Sequence, residues 1–184
     1  VGGESSRSPN GSSSDLDFAL GLQLSYTLND KFGVFLRGQY IDDTYRAQKG
    51  DYTASKDFWK NAGAPDFTDA RCQMIDVALG LSYYFSKINE PGLVLSTGLN
   101  SNFMLREQYT YNYTETGRSW DWQTGAGNNT LLSSIEMSLG YKFKVAKKRN
   151  IEIHSFYRMP TRGIGHGDVD LRSYGIRLGV SFYN

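Results

Sequence analysis

Over most of the chain, successive residues alternate between two kinds. Leu16, Phe18, Leu20, Leu22, Leu24, Tyr26 and Leu28 alternate with Asp17, Ala19, Gly21, Gln23, Ser25 and Thr27. A strict period of two marks a β-strand whose two faces meet different surroundings. The same test predicts strands over 16–28, 32–46, 74–86, 92–113, 131–145, 151–161 and 170–184, and no helix. Residues 1–15, polar and rich in Gly and Ser, read as a loop. In the last strand Tyr174, Ile176, Leu178, Val180 and Phe182 share one apolar face, opposite Ser173, Gly175, Arg177, Gly179 and Ser181.

The connections alternate in length. Those at 29–31, 86–92 and 146–150 are short, those at 47–73 and 114–129 long, and 161–169 is a glycine-rich loop of medium length. Outer-membrane barrels have this asymmetry, with short periplasmic turns and longer extracellular loops. The expected fold is all-β: an eight-stranded antiparallel up-and-down transmembrane β-barrel, seven strands visible and the first truncated or missing. All 184 residues fall in this single domain. Long loops are expected outside the cell and the C-terminus in the periplasm. The strand that closes against 170–184 is expected upstream of Val1.

Charge sharpens the expectation. Charged residues make up 21% of the chain, yet none stands in the apolar registers of Leu16–Leu28, Phe32–Tyr40, Ile75–Phe85, Leu93–Leu105, Leu131–Val145, Ile151–Met159 and Tyr174–Phe182. The opposite registers carry Asp17, Arg37, Asp76, Arg106, Glu136, Lys142, Lys144, Glu152, Arg158 and Arg177. Lipid imposes such an exclusion, because an Arg or Lys facing it costs about 2–4 kcal/mol at the midplane. A soluble barrel of lipocalin type would show the same pattern with its apolar face turned inward. Small residues in the polar register (Ala19, Gly21, Ala78, Gly80, Gly98, Gly140, Gly179) suit a cramped lumen instead. Aromatics near the stripe ends (Tyr26, Tyr40, Tyr83, Phe85, Tyr141, Phe143, Phe182) suit interfacial girdles. A net charge of +1 leaves no electrostatic footprint for nucleic acid. The single cysteine, Cys72, excludes an internal disulfide framework.

Three stretches resemble a family of outer-membrane β-barrel domains from Bacteroidota, related in style to the PorT-like barrels. They are Arg71 to Val77, with its Cys-x-x-Ile-Asp-Val strand start, Gly98 to Tyr113, and Met159 to Gly175. The chain departs where the family usually has Glu-Pro, since it carries His154 and Ser155 there. Members often carry a cytoplasmic segment, a transmembrane helix and a periplasmic linker upstream, and some are anti-sigma factors. The resemblance therefore implies a non-enzymatic outer-membrane anchor or sensor of a longer envelope-spanning signalling or tethering protein. It implies partners among outer-membrane lipid, lipopolysaccharide and other outer-membrane proteins, and a cytoplasmic sigma factor reached through upstream segments. The alternative is a free-standing small barrel for adhesion or ligand binding through its outer loops; a weaker one is a lipid-modifying enzyme.

Seven lumenal residues, Arg37, Asp76, Glu136, Glu152, His154, Arg158 and Arg177, are expected to neutralise one another as a plug of ion pairs. Six aromatics, Trp59, Tyr109, Tyr111, Tyr113, Trp120 and Trp122, are candidates for an outer contact surface. No catalytic, cofactor or metal residue is expected. His154 and Ser155 are adjacent and so face opposite ways, which forbids a nucleophile–base pair. His166 and Asp168 share a glycine loop without a nucleophile, and two His with one Cys make no metal set.

Overall fold

The computed structural model describes residues 2–7, 17–48, 65–88, 90–125, 129–146, 149–165 and 172–182. These form nine strands: β1 (Gly2–Arg7), β2 (Asp17–Thr27), β3 (Phe32–Gln48), β4 (Phe67–Tyr84), β5 (Gly92–Tyr113), β6 (Arg118–Gly125), β7 (Asn129–Ala146), β8 (Arg149–Pro160) and β9 (Ser173–Phe182). Pairing runs β1–β2–β3–β4–β5–β7–β8–β9 and returns to β1, antiparallel at every step. The ring is thus a closed up-and-down barrel. β6 lies outside it, folded back as a hairpin on Arg106–Tyr113 of β5.

The strand that closes the ring corrects the sequence reading. Residues 2–7 were expected in an outer loop, with the neighbour of the last strand upstream. Instead Gly2–Arg7 pairs with β9 from Gly179 to Tyr174, and Gly2–Ser6 pairs with β2 from Gly21 to Asp17. The hexapeptide Gly-Gly-Glu-Ser-Ser-Arg has no apolar residue to alternate, so a period-two test is blind to it. Backbone hydrogen bonds from two neighbouring edges suffice to make it a strand. β4 also begins earlier than expected, at Phe67, and β6 occupies a segment that reads as aperiodic.

Burial is inverted relative to a soluble protein. Leu22, Leu24, Leu79, Met137 and Ile176 are 55–74% exposed on the outer wall, whereas Arg37, Glu136, Lys142 and Arg158 are at most 7% exposed inside. The apolar face therefore points outward, which rules out the lipocalin arrangement and gives the barrel the exterior of a membrane-spanning wall. Rings mark its two ends. The Tyr83 ring lies 5.0 Å from that of Phe32 and 5.1 Å from that of Phe85, and the Tyr141 ring lies 4.6 Å from that of Phe143, at the short-turn end. Tyr40, Tyr157 and Tyr174 are exposed toward the long-loop end.

Two irregularities shift the phase of this wall. In β7, Leu132 adopts φ 52°, and Leu131 and Leu132 are both exposed while Ser133 and Ser134 are both buried. Ser133 is thereby turned inward. In β5 the register against β4 slips by one residue, from Met74↔Met104 to Gln73↔Arg106, leaving Leu105 unpaired. Such a bulge exchanges the two faces of everything beyond it.

Candidate functional site

Charged side chains cross the lumen at mid-height. β7 places Glu136 opposite Arg158 of β8, and β8 places His154 opposite Arg177 of β9. Arg37 reaches over from β3 on the far wall. Its Nη2 donates to Glu136 Oε2 at 2.6 Å, and Arg158 Nε donates to the same oxygen at 2.9 Å. Arg177 makes a two-pronged contact, Nη1 to Oε1 and Nη2 to Oε2, each at 3.0 Å. Arg158 Nη2 also stands 3.5 Å from Asp76. One carboxylate thus receives three guanidiniums. Charged hydrogen bonds of this kind are the strong ones, and here they lie where water does not compete. Phe156 lies under two of the cations, 5.2 Å from Arg158 and 4.9 Å from Arg177.

Of the seven expected lumenal residues, five therefore share one cluster and two form another toward the short-turn end. There His154 Nε2 lies 3.2 Å from Glu152 Oε2, and Ser181 donates to Glu152 Oε1 at 3.0 Å. Lys142 sits 4.7 Å over the Tyr84 ring and donates to the Ile88 carbonyl. Ser155, exposed on the opposite face from His154, donates to Leu139 O at 3.5 Å. His166 and Asp168 lie outside the described residues. Among the described residues no group of three or more His, Cys, Asp and Glu is placed to hold a metal ion.

Toward the long loops the lumen turns apolar. Ile41, Ala70, Cys72, Met74, Met104 and Ile164 form a buried cluster with Tyr109 and Tyr111. The last two correct the sequence reading: the bulge at Leu105 turns them inward, 3% and 5% exposed, their rings stacked 6.1 Å apart. The Tyr109 hydroxyl donates to the fully buried Glu107 at 3.1 Å. Arg106, expected in the lumen, is turned out by the same slip. Tyr113 is half-buried against the cluster. Trp120 and Trp122 pair in the backbone with Tyr111 and Tyr109. Their side chains, and all of Trp59, lie outside the described residues.

Sequence reasoning missed the outward face above the apolar band. β3, β4, β5 and β6 continue as a sheet beyond Tyr40, Ile75 and Phe103. Their outward side chains there are polar and mutually bonded. Arg71 grips Asp42 with two bonds of 2.8 and 2.6 Å, and Gln73 adds a third at 3.0 Å. Arg46 grips Asp69 at 2.6 and 3.1 Å. Gln123 accepts from Arg106 at 2.9 Å and from Gln108 at 3.1 Å, and Thr110 donates to Asp121 at 2.7 Å. The hydrogen bond from Arg71 holds the Asp42 carboxyl below its ordinary pKa. The signal for this face was present: Asp42, Thr44 and Arg46 keep the outward register of β3.

No family model matches the chain. No curated protein matches it either. Among solved structures it is similar to Ail, the attachment invasion locus protein of Yersinia pestis, at TM-score 0.50 and 11% identity over 98% of this chain and 91% of that one. It is also similar to Neisserial surface protein A, at TM-score 0.49 and 14% identity over 98% of this chain and 91% of the other. Likeness at such identities concerns the fold alone. The fold is that of the small outer-membrane β-barrels.

Proposed function

We propose that this chain is a non-enzymatic barrel of the bacterial outer membrane that binds a saccharide at the cell surface through the outward face of β3–β6. The long-loop end then faces outside and the C-terminus the periplasm. The observation that carries the reading is the change of that face, within one residue pair, from apolar to a bonded network of guanidinium, carboxylate, amide and hydroxyl groups. Described charges on it balance, and donors alternate with acceptors, as sugar hydroxyls require. Arg71 is about half exposed despite its pairing, so its outer edge can still meet a ligand. The sugars of outer-leaflet lipopolysaccharide lie at this height, directly above the apolar band.

The role of anchor for an envelope-spanning anti-sigma protein rests on the family resemblance and draws on no feature of the barrel itself. Two measurements test the surface reading. A cysteine placed at Thr116, in the β5–β6 turn, should react on intact cells with a membrane-impermeant maleimide; labelling only after the outer membrane is breached would reverse the orientation. Purified barrel should bind lipopolysaccharide carrying its core sugars more tightly than lipid A. The pair Arg71→Ala and Arg106→Ala should remove that difference without moving the unfolding midpoint, and an unchanged preference would overturn the reading.

A further inference from the structure

Below the Glu136 cluster, on the short-turn side, the lumen opens into a cavity of about 400 Å³. Small side chains leave this space, among them Ala19, Gly21, Ser25, Ser138 and Gly179. Among the described residues nothing lies within 4 Å of where a Cβ would stand on Gly179. Two side chains of β3, Arg37 and Gln39, line the cavity, and each is only 4% exposed. Arg37 spends Nη2 on Glu136, but its Nε–H and the amide nitrogen of Gln39 have no hydrogen-bond partner among the described residues. Two residues apart on one strand, both point to the same side. Two adjacent unmet donors, one of them on a cation, match a ligand that offers two acceptor oxygens.

We propose that this cavity is an oxyanion site, in which a phosphate group accepts from Arg37 Nε and Gln39 Nε2. Leaving such donors unmet in a buried place is costly, and a bound oxyanion removes that cost for both at once. The phosphate has two routes in. One is the short-turn mouth, open to a free solute. The other is that mouth approached from the bilayer surface beside it, by a phospholipid headgroup whose chains stay outside the barrel.

The test uses the whole barrel refolded in a phosphate-free maltoside detergent, with the arginine Nε–H resonances followed by NMR. Inorganic phosphate and a short-chain phosphatidylglycerol are titrated separately. Saturable movement of the Arg37 resonance with either supports the proposal, and whichever probe produces it identifies the source. Gln39→Leu, which keeps the volume and removes only the amide, should weaken binding about tenfold. No saturable response to either probe, or a response indifferent to Gln39→Leu in a barrel that still folds, would overturn it and leave the cavity to water.

Discussion

Replacing Glu136 by Gln tests whether the lumen is held by its shared carboxylate. The substitution keeps volume and shape, so no cavity confuses the result. What changes is charge: Arg37, Arg158 and Arg177 lose the anion they surround. The Glu136 side chain is 3% exposed and that of Arg37 5%, so water cannot take the anion's place. Breaking a buried pair from one side costs about 3–5 kcal/mol, mainly because the partner charges stay behind unpaired. Three cations on one acceptor put the expected loss in the upper half of that range, with Asp76 keeping its hold on Arg158. The assay is urea unfolding of the barrel refolded into short-chain lipid bilayers, followed by tryptophan fluorescence. Gel migration with and without boiling supplies a second, independent readout. An expected control is Asp42→Asn, whose exposed pair with Arg71 should contribute at most about 1 kcal/mol. If Glu136→Gln costs no more than Asp42→Asn, the cluster is not what secures the lumen.

Other perturbations probe the wall and the rim. Leu79, 62% exposed at mid-band between Leu36 and Leu99, faces lipid, so Leu79→Arg should cost about 2–4 kcal/mol in the same unfolding assay. A soluble wall would tolerate it. Gly80→Ala would drive a methyl into the Thr97 carbonyl oxygen and the Phe35 ring and should cost about 1–3 kcal/mol, whereas Gly179→Ala enters open space and should be near neutral. Equal stability of the two variants would show that Phe35 and the β5 backbone yield freely. Asp42 should titrate below the ordinary carboxylate range, its pair with Arg71 persisting as pH falls until the lowered pKa is crossed. In Arg71→Ala the carboxyl NMR titration should move back upward; a curve that stays put would separate the shift from Arg71.

Alternation revealed the lipid-facing stripe because lipid admits no exceptions, and Tyr174, Ile176, Leu178 and Val180 do stand outward as their register requires. It failed where the stripe is missing: β1 stands in the wall but contains no apolar residue, and β6 rests on β5 outside the ring. It failed again beyond Leu105, for a different reason. Tyr109 and Tyr111 continue the earlier phase in sequence, and an aromatic at a strand end looks the same whether it is girdle or core. Only the slip against β4 separates the two. The lumenal charges were legible as a set, since each opposes the apolar register. Their partition was not, because Arg37 reaches Glu136 across the barrel from a strand 99 residues away. Only closure of the ring brings those walls face to face.

The single unpaired residue at Leu105 has a consequence for how deeply the barrel sits. Without it, Tyr109 and Tyr111 would project outward above Phe103, and the belt on this side would be carried higher, with Glu107 set into it between Leu105 and Tyr109. Each residue along a tilted strand raises the belt by roughly 2–3 Å, and mismatch with a bilayer costs fractions of a kcal/mol per Å. Sliding the bulge one pair up or down would therefore retune the barrel to a thicker or thinner membrane while leaving the lumenal contacts below it untouched. In that sense Leu105 is a waterline mark: the hull beneath it is fixed by lipid, and the deck above it is free to change cargo.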